Sequence, residues 1–452
     1  MSVLWTSDEI AAATGGQAHG VFEVTGLSID TRTLQPGDLF VPLKDMRDGH
    51  DFLNNAMKAG AAGTLSETDT HHPHVRVEDT MAALRALGQA GRYRSQAKRI
   101  AVTGSVGKTS VKDALGVMLG AIGKTHKSIK SFNNHFGVPI TLSTLPKETE
   151  FAVFETGMNH AGELTDLSHQ VAPHIALITT VAGAHKANFN SVEEIADAKA
   201  EIRHGLVEGG LLILNADNEY THRILAQSEG LNVMTFGRSD SADVRITGSE
   251  HHADGGTVHL QIGERALTVP LYVTGAHWGH NTAACLAIAY ALDLDLDKAA
   301  QAMIHVSASQ GRGDIHAISL NGQTLTLIDE SYNANPTSMR AAFMAASLKP
   351  GRKIAVLGDM KELGMDELEL HAALAEPLIK AGFKRVLTLG ECMRALRGAL
   401  PRDMRGLHAD STREIEAALG DEVQAGDVLL LKGSNSMGLG RLVSRLRGEG
   451  PN

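Results

Sequence analysis

Residues 100–110, Ile100-Ala-Val-Thr103-Gly104-Ser105-Val106-Gly107-Lys108-Thr109-Ser110, decide the fold of this chain. A short apolar run leads into a glycine-containing loop, and a sequence with helical preference follows. Glycines let backbone N–H groups point at phosphate oxygens, and the N-terminus of the next helix adds a favourable dipole. In such a loop Lys108 reaches the β- and γ-phosphates, and Thr109 offers its hydroxyl to Mg²⁺. The stretch therefore predicts a strand–loop–helix phosphate cradle over Thr103 to Ser110.

The loop departs from the standard pattern at one position, because Val102 stands where that pattern has its first glycine. A glycine-rich turn with an incidental lysine is the alternative interpretation. The place of the loop, after a strand and before a helix, favours the phosphate cradle.

Composition limits the class of protein. The 452 residues suffice for about three domains of roughly 150 residues, and 43% hydrophobic with 21% charged residues excludes a disordered chain. A net charge of −10 disfavours a basic nucleic-acid binder. Two cysteines exclude a disulfide framework and indicate a reducing compartment. The acidic N-terminus and the lack of an apolar run of about 18 residues argue against a signal peptide and membrane insertion. We therefore expect a cytoplasmic protein.

Apolar runs alternate with helical stretches along most of the chain, as in βαβ units around a mostly parallel sheet. The middle of the chain has predicted strands at residues 151–154, 175–180 and 211–214. After the glycine-containing joint Ser307 to Asp314, strands are predicted at 324–328, 353–357, 385–389 and 427–431, and helices near 338–347, 367–381, 412–419 and 439–447. This second alternation predicts a Rossmann-like unit.

The fold class is therefore α/β with three domains. Residues 1–82 form a small N-terminal α/β domain, residues 83–311 a central P-loop domain with a mostly parallel sheet, and residues 312–452 a C-terminal Rossmann-like domain. A helix that begins after the N-cap Asp79 leads from the first domain to the second.

Two histidine tracts, His71-His72-Pro73-His74 and His251-His252, invite interpretation as metal sites. Their spacing fits no metal-binding helix, so solvated loops are the prediction.

Two polar residues follow apolar strands of the middle domain. Glu155 ends the run 151–154, and His185 follows the run 175–181. Ligands of open α/β sheets bind at the carboxyl ends of the strands, and Mg²⁺ prefers oxygen ligands such as Glu155. Either residue alone could also be an ordinary strand-end side chain.

Lys199 is anomalous on its predicted helix. Ser191 and Glu194 form a capping box, and Ile195, Lys199, Ile202 and Leu206 then fall on one face. A lysine on an apolar stripe can snorkel to solvent, pair with a carboxylate, or carry a modification that makes it an anionic ligand. The sequence leaves all three outcomes open.

Three loops of the last domain follow predicted strands with polar residues. They span residues 329–336, 358–360 and 432–436. Each alone could be a connecting loop, but together they predict a binding edge of the C-terminal sheet.

With these residues assembled, the chain resembles the Mur ligase family, ATP-dependent amide-forming enzymes of peptidoglycan synthesis. The resemblance covers all three domains. Its carriers are Ser28-Ile-Asp30-Thr-Arg32, Pro36 to Phe40, the phosphate loop, Asn133 to Pro139, Glu155-Thr156-Gly157, His185, Lys199 to Ile202, His280-Asn281, Asp329 to Pro336, Val356 to Gly364 and Lys432 to Ser436.

The resemblance implies roles for these residues. Lys108, Glu155, His185 and Lys199 would be catalytic. Thr109 and Glu155 would bind the Mg²⁺ of ATP, and His185 with a carbamylated Lys199 (N6-carboxylysine) a second Mg²⁺. Asn281 would contact adenine, and Arg312 and Asp329 phosphate and ribose. The substrate-binding residues implied are Ser28, Asp30, Arg32, Asp48 and His50 for the uridine diphosphate, Asn134 and Thr156 in the middle domain, and Asn333, Asn335, Lys432 and Ser434 for the dipeptide.

The resemblance also implies an activity. The chain is most similar to the family member that joins D-alanyl-D-alanine to UDP-N-acetylmuramoyl-tripeptide through an acyl phosphate. We expect a monomer whose partners are these small molecules. The alternatives are a ligase similar to folylpolyglutamate synthase, and a P-loop protein that hydrolyses ATP as a regulatory switch.

Overall fold

The N-terminal part of the chain builds a five-stranded mixed sheet. The computed structural model describes residues 2–45, 47–183 and 188–449. The elements of this part are β1 (Trp5–Thr6), α1 (Ser7–Thr14), β2 (Gln17–His19), β3 (Glu23–Val24), β4 (Gly26–Ser28), β5 (Asp38–Phe40), α2 (Leu53–Lys58), β6 (Gly63–Ser66), β7 (His74–Arg76) and α3 (Thr80–Arg94). The sheet has the order β2-β7-β6-β5-β4, in which β2 runs antiparallel to β7 and the other neighbours are parallel.

Helix α3 begins where the sequence predicts. The Asp79 carboxylate accepts a hydrogen bond from the Ala82 N–H at 2.6 Å and so caps the helix. Leu84 and Leu87 of α3 are fully buried in one core with Leu39 and Val75 of the first sheet. The domain boundary after residue 82 stays a prediction.

The central part contains a sheet of nine strands in the order β16-β15-β14-β13-β12-β11-β8-β10-β9. Its elements are β8 (Lys98–Thr103), α4 (Lys108–Gly120), β9 (Thr125–Lys127), α5 (Gly137–Ser143), β10 (Phe151–Glu155), α6 (Glu163–Val171), β11 (Ile175–Ile178), α7 (Val192–Ala200), β12 (Leu211–Asn215), α8 (Thr221–Ala226), β13 (Asn232–Gly237), β14 (Val244–His252), β15 (Gly255–Ile262), β16 (Arg265–Leu271), α9 (His277–Ala291) and α10 (Leu296–Ala302). β10 lies parallel to β8 and to β9, and Glu155 is in register with Val102.

Strands β14, β15 and β16 are antiparallel and were not among the predicted strands. Their signal is present in the sequence. Val258, Leu260 and Ile262 alternate with more exposed residues along β15, and the pair Asp254-Gly255, which is typical of turns, marks its start.

The C-terminal part forms a six-stranded sheet in the order β17-β18-β22-β19-β20-β21. Its elements are β17 (Asp314–Leu320), β18 (Gln323–Glu330), α11 (Pro336–Ser347), β19 (Lys353–Gly358), α12 (Glu367–Ala372), α13 (Ala375–Lys380), β20 (Phe383–Leu389), α14 (Met393–Ala399), β21 (Arg405–Ala409), α15 (Thr412–Glu422), β22 (Val428–Lys432) and α16 (Leu439–Leu446). All neighbouring strands are parallel except β17 and β18. Ala355 and Leu357 lie in one core, Ile354 and Val356 in another, so both faces of the sheet are covered. This is the Rossmann-like arrangement that the sequence predicts.

Strands β17 and β21 and helix α14 were not among the predicted elements, and two predicted helices of this part have other bounds. The single helix predicted at 367–381 is two helices, α12 and α13, because Pro377 cannot donate a hydrogen bond to residue 373 and its ring would clash with that carbonyl. α11 begins at Pro336 rather than after Thr337, since the side chain of Asn335 accepts a hydrogen bond from the Ser338 N–H at 2.8 Å.

The predicted solvated loops at the histidine tracts are correct for His71, His72 and Pro73, which lie in bends before β7, and wrong for the other histidines of the tracts. His74 lies on β7 and is only 2% exposed, because β7 has a neighbouring strand on each side. His251 and His252 end strand β14 and pair with β15.

The residues group into two compact units, one of residues 1–103, 123–177 and 201–212, the other of residues 104–122, 178–200 and 213–452. Within the described ranges we find no helix with both the length and the apolar character needed to cross a membrane.

Candidate active site

The loop between β8 and α4 has the backbone of a phosphate cradle. Gly104 and Gly107 adopt positive φ angles of +147° and +92°, which side chains with a Cβ rarely take. A Cβ at Gly104 would overlap the hydroxyl of Thr179, and one at Gly107 would lie 3.2 Å from Oδ1 of Asn281. Because the N-cap Gly107 carries no capping side chain, the first amides of α4 can serve an anion.

The residues that follow β11 hold this loop in place. The Ser105 hydroxyl donates to the Ala182 carbonyl at 2.9 Å, and the Thr179 hydroxyl donates to the Val106 carbonyl at 2.6 Å. The Lys108 ammonium donates to the Gly104 carbonyl at 2.5 Å, so its long side chain folds back over the loop. The cradle is thus formed by the chain itself, and Thr179 is a supporting residue that the sequence analysis missed.

Lys199 is buried at the end of α7, with 2% of its surface exposed. Of the three outcomes that the sequence leaves open, snorkelling to solvent is therefore wrong. Burial, together with the positive charge of Lys108, holds the Lys199 pKa well below its usual range. The neutral amine is favoured, which is the form that reacts with carbon dioxide.

The start of α7 differs slightly from the predicted capping box. The Ser191 hydroxyl accepts a hydrogen bond from the Glu194 N–H at 3.2 Å, as expected. The Glu194 carboxylate, however, accepts from the Asn190 N–H at 2.9 Å. The helix is capped, and Ile195 is fully buried on the same stripe as Lys199.

Glu155 is fully buried at the carboxyl end of β10, level with Val102, which lies just before the phosphate loop. Its Oε1 accepts a hydrogen bond from Asn133 Nδ2 at 2.8 Å, while its Oε2 has no hydrogen-bond partner among the described residues. A buried carboxylate oxygen without a donor is costly unless a cation binds it. Glu155 therefore fits the role of a Mg²⁺ ligand.

Two neighbours of Glu155 also belong to the predicted site. Thr156 is fully buried, and its N–H donates to the Val102 carbonyl at 2.9 Å. Asn134 is exposed, and its Oδ1 accepts from the N–H groups of Phe136 and Gly137 at the start of α5. His185 lies outside the described residues.

Asn281 lies against the loop, on α9. It is 6% exposed, and its Nδ2 donates no hydrogen bond to the described part of the chain. The neighbouring His280 contacts Asp217 at 2.6 Å. An amide donor that is buried without an acceptor fits a polar ligand beside Gly107.

Asp329 contacts the predicted joint, Ser307 to Asp314. Its carboxylate accepts hydrogen bonds from the Gly311 N–H at 3.0 Å and from the Ser331 N–H and hydroxyl at 3.0 and 2.6 Å. The guanidinium of Arg312 stacks on the ring of Tyr332 at 4.2 Å. Both predicted nucleotide-contacting residues thus lie together at the start of the last domain, with Tyr332 as a further neighbour.

The carboxyl edge of the last sheet brings the predicted dipeptide residues together. The Lys432 ammonium is 2% exposed and donates to Glu330 at 3.1 Å and to the Asn333 carbonyl at 2.9 Å. Asn335 caps α11, and the buried Ser434 hydroxyl accepts from the Lys361 N–H at 2.9 Å. These loops form one polar edge, as the sequence predicts.

Of the predicted residues of the first domain, Arg32 and Asp48 are exposed, Asp30 and His50 are half-buried, and Ser28 is buried. Nε and Nη2 of Arg32 donate hydrogen bonds to the carboxylate of Asp30 at 2.9 and 2.6 Å. This contact holds the pKa of Asp30 below its usual range. The Ser28 hydroxyl donates to the Asp30 carbonyl at 3.0 Å. Asp48 lies 2.6 Å from the ring of His50.

Comparisons with known proteins agree with this geometry. The family profile of the Mur ligase middle domain matches residues 102–289, and that of the Mur ligase glutamate ligase domain matches residues 311–435. The UDP-N-acetylmuramoyl-tripeptide–D-alanyl-D-alanine ligase of Escherichia coli (strain K12) is 34% identical over 98% of this chain and 99% of its own length. The chain belongs to the Mur ligase family.

Solved Mur ligases have the same fold. The crystal structure of MurF from Acinetobacter baumannii matches with a TM-score of 0.85 and 29% identity, over 98% of this Mur ligase and 99% of that chain. MurF from Thermotoga maritima, solved in complex with ADP, matches with a TM-score of 0.77 over 94% and 98% of the two chains. At 24% identity the second likeness concerns the fold alone.

Proposed function

We infer that this Mur ligase joins D-alanyl-D-alanine to the terminal carboxylate of UDP-N-acetylmuramoyl-tripeptide, with ATP, in the synthesis of the peptidoglycan precursor. The observation that carries the inference is the identity of 34% to the Escherichia coli ligase of that name over 98% of this chain. That identity includes the first domain, and a ligase similar to folylpolyglutamate synthase would lack the Ser28 to Arg32 pattern there.

The reaction needs an activated carboxylate, because a carboxylate is a poor electrophile. We propose that a carboxylate oxygen of the tripeptide attacks the γ-phosphorus of ATP, so that an O–P bond forms and ADP leaves. The amine of the dipeptide then attacks the carbonyl carbon of this acyl phosphate. The C–O bond to phosphate breaks, inorganic phosphate leaves with the bonding electrons, and the amine loses a proton.

The phosphate loop would position and neutralise the transferred group. Phosphoryl transfer asks the protein mainly for positioning and charge stabilisation. Lys108 would place its ammonium at the γ-phosphate, and the amides at the start of α4 would bind phosphate oxygens. Thr109 and Glu155 would hold the ion that accompanies ATP, a role supported by the unpartnered Oε2 of Glu155. When bound, Mg²⁺ would act as a Lewis acid and neutralise the negative charge of the phosphate oxygens.

Lys199 would become a ligand by modification. Burial lowers the pKa of its amine and so favours the neutral form, and addition of carbon dioxide to the nitrogen, with loss of one proton, gives the N6-carboxylate anion. This carboxylate and His185 would hold a second Mg²⁺. This modification would replace an unfavourable buried cation with an oxygen ligand.

The remaining roles concern binding. Asn281 would contact adenine, and Arg312 and Asp329 the phosphate and ribose, which the buried free amide of Asn281 and the joint around Asp329 support. Residues 1–82 would bind the uridine diphosphate through the residues Ser28, Asp30, Arg32, Asp48 and His50, and residues 83–311 the ATP. Residues 312–452 would bind the dipeptide near Asn333, Asn335, Lys432 and Ser434, and Asn134 and Thr156 would be substrate-binding residues of the middle domain.

We place this reaction in the cytoplasm and propose that the enzyme acts as a monomer. Both cysteines, Cys285 and Cys392, are free thiols, which fits a reducing compartment.

A coupled assay tests the function. ATP, Mg²⁺ and UDP-N-acetylmuramoyl-tripeptide are supplied, D-alanyl-D-alanine is added or withheld, and released phosphate and product mass are recorded. We expect release only with the dipeptide and the mass of the UDP-N-acetylmuramoyl-pentapeptide. Release that ignores both acceptors would instead indicate a regulatory ATPase.

A further inference from the structure

Three metal-binding side chains that the ligase chemistry does not use meet at the edge of the first sheet. They are His19 on β2, His74 on β7 and Asp69 in the segment between β6 and β7, and one ligand atom of each lies within 4.8 Å of the other two. His19 and His74 stand directly opposite each other in the antiparallel pair. The strand register, and not the spacing of the histidine tract, therefore brings these groups together.

The imidazole rings of His19 and His74 are stacked, and one nitrogen of each is without a hydrogen-bond partner in the described part of the chain. Their ring centroids are 4.6 Å apart and the planes differ by 5°. The Nε2 atoms of both rings are buried, and neither has a hydrogen-bond partner within the described ranges of the chain. His74 itself is only 2% exposed. Burying two polar nitrogens without partners is unfavourable, so the arrangement favours a ligand that both can bind.

The tautomer of His74 is fixed by its other nitrogen. Nδ1 lies 2.8 Å from the carbonyl oxygen of His72, and because a carbonyl oxygen only accepts, Nδ1 must carry the hydrogen. Nε2 then carries a lone pair that is available to a ligand. A histidine that donates Nδ1–H to a carbonyl and offers Nε2 is the usual form of a metal ligand.

We propose that His19 Nε2, His74 Nε2 and a carboxylate oxygen of Asp69 bind one Zn²⁺ ion, with water as a fourth ligand. Imidazole nitrogens suit zinc, whereas Mg²⁺ prefers oxygen ligands. Zn–N distances of about 2.0–2.1 Å need the ligand atoms to approach each other. The Asp69 side chain, 68% exposed and paired with Arg76 at 3.2 Å, can move inward while its second oxygen keeps that contact.

The ion would tie the segment that carries Asp69 to β2 and β7. These strands form one edge of the small first sheet. A cation that binds only the folded chain stabilises it by mass action. The site would therefore act on the stability of the first domain and would be separate from the magnesium of ATP.

Zinc binding to the full-length chain tests the proposal. The chain is freed of metal by dialysis against a chelator and titrated with Zn²⁺ in excess Mg²⁺, with a chromophoric chelator as competitor. The variants are His19→Gln, Asp69→Asn and His74→Gln, and the control is the exposed His252→Gln in the other histidine tract. Circular dichroism checks that each variant is folded.

We expect one Zn²⁺ per chain in the wild type and in His252→Gln. His19→Gln and Asp69→Asn should each weaken binding by at least about tenfold, the loss that even partners outside the ligand shell can cause. If buried His74→Gln does not fold, the two more exposed variants decide. The absence of a stoichiometric site, or equal affinity in wild type, His19→Gln and Asp69→Asn, would overturn the proposal.

Discussion

At the scale of single residues, Lys108 is the group on which we expect turnover to depend most. Lys108→Ala should lower kcat by about 10²–10³, the usual loss for one electrostatic donor to a transition state, and leave folding unchanged. The measurement is phosphate release with all three substrates, beside a thermal melt.

Lys124→Ala is the matched control for that loss, because Lys124 is an exposed lysine of the same domain. Its activity should equal that of the wild type. Full activity of Lys108→Ala would show that the loop does not serve the reaction.

Lys199 gives a second prediction at this scale. Because the pKa of Lys199 is lowered in the folded chain, the unfolded chain binds a proton that the folded chain lacks. This group therefore makes the free energy of unfolding rise with pH between the lowered pKa and the ordinary lysine pKa. Carbamylation uses the neutral amine of the folded chain. Adding bicarbonate in the presence of Mg²⁺ should therefore raise the Tm of the wild type, measured by calorimetry.

Lys199→Met keeps an unbranched side chain that is one heavy atom shorter and removes the amine, so the Tm of this variant should not respond to bicarbonate. An equal rise in both proteins would mean that bicarbonate acts elsewhere and would count against the modification.

Residue types and their places along the chain were enough to select Lys108, Glu155 and Lys199 as candidate site residues. The burial of Lys199 could not be predicted, because it depends on what packs on α7. The environment of His74 was also out of reach, since only the pairing of β7 with β2 and β6 buries it. Local sequence does not report such long-range pairing.

At the scale of elements, the turn between β8 and α4 depends on its glycine. Gly104→Ala would put a Cβ against Thr179 at a positive φ. The backbone alone should cost about 1–2 kcal/mol of unfolding free energy, and the displaced loop should raise the KM for ATP. Denaturant unfolding and ATP kinetics measure the two effects.

The control for this change is Gly120→Ala at the end of α4, where a Cβ meets nothing within 4 Å. It should keep the KM for ATP and gain up to about 1 kcal/mol in stability, because alanine favours a helix over glycine. A Gly104→Ala enzyme with the wild-type KM and stability would refute the strained loop.

The edge of the C-terminal sheet supplies a further prediction. Lys432 is buried and Glu330 is 19% exposed, so Glu330→Ala leaves the ammonium without its carboxylate. The unfolding free energy should fall by about 3 kcal/mol, at the low end for a broken buried pair. Urea unfolding measures it.

Glu376→Ala breaks an exposed pair with Lys380, whose two side chains are 73% and 71% exposed. Its loss of unfolding free energy should be much smaller than that of Glu330→Ala, because solvent screens the exposed pair. If Glu330→Ala and Glu376→Ala lose the same free energy of unfolding, the buried Lys432–Glu330 pair stabilises the protein no more than an exposed pair does.

Elements were predictable where the apolar run is long and its ends are marked. β10, β19 and β22 lie within a residue or two of their predicted bounds, because parallel strands covered on both faces are continuously apolar. The prediction gave one helix in place of α12 and α13. Pro377 fits the first turn of α13, but it cannot continue a helix from the turn before it.

At the scale of the whole molecule, three substrates and three predicted domains belong to one reaction. The identity to the Escherichia coli ligase extends over nearly the whole chain, so the first and last domains belong to the activity as much as the phosphate loop does. In the proposed mechanism, ATP activates the tripeptide carboxylate before the dipeptide amine attacks it.

Oxygen isotope transfer tests that claim most directly. The terminal carboxylate of UDP-N-acetylmuramoyl-tripeptide is labelled with ¹⁸O, the reaction is run with ATP, Mg²⁺ and D-alanyl-D-alanine, and the released phosphate is analysed by mass spectrometry. The acyl-phosphate route predicts one labelled oxygen from the carboxylate in each phosphate. Amide product accompanied by unlabelled phosphate would contradict it.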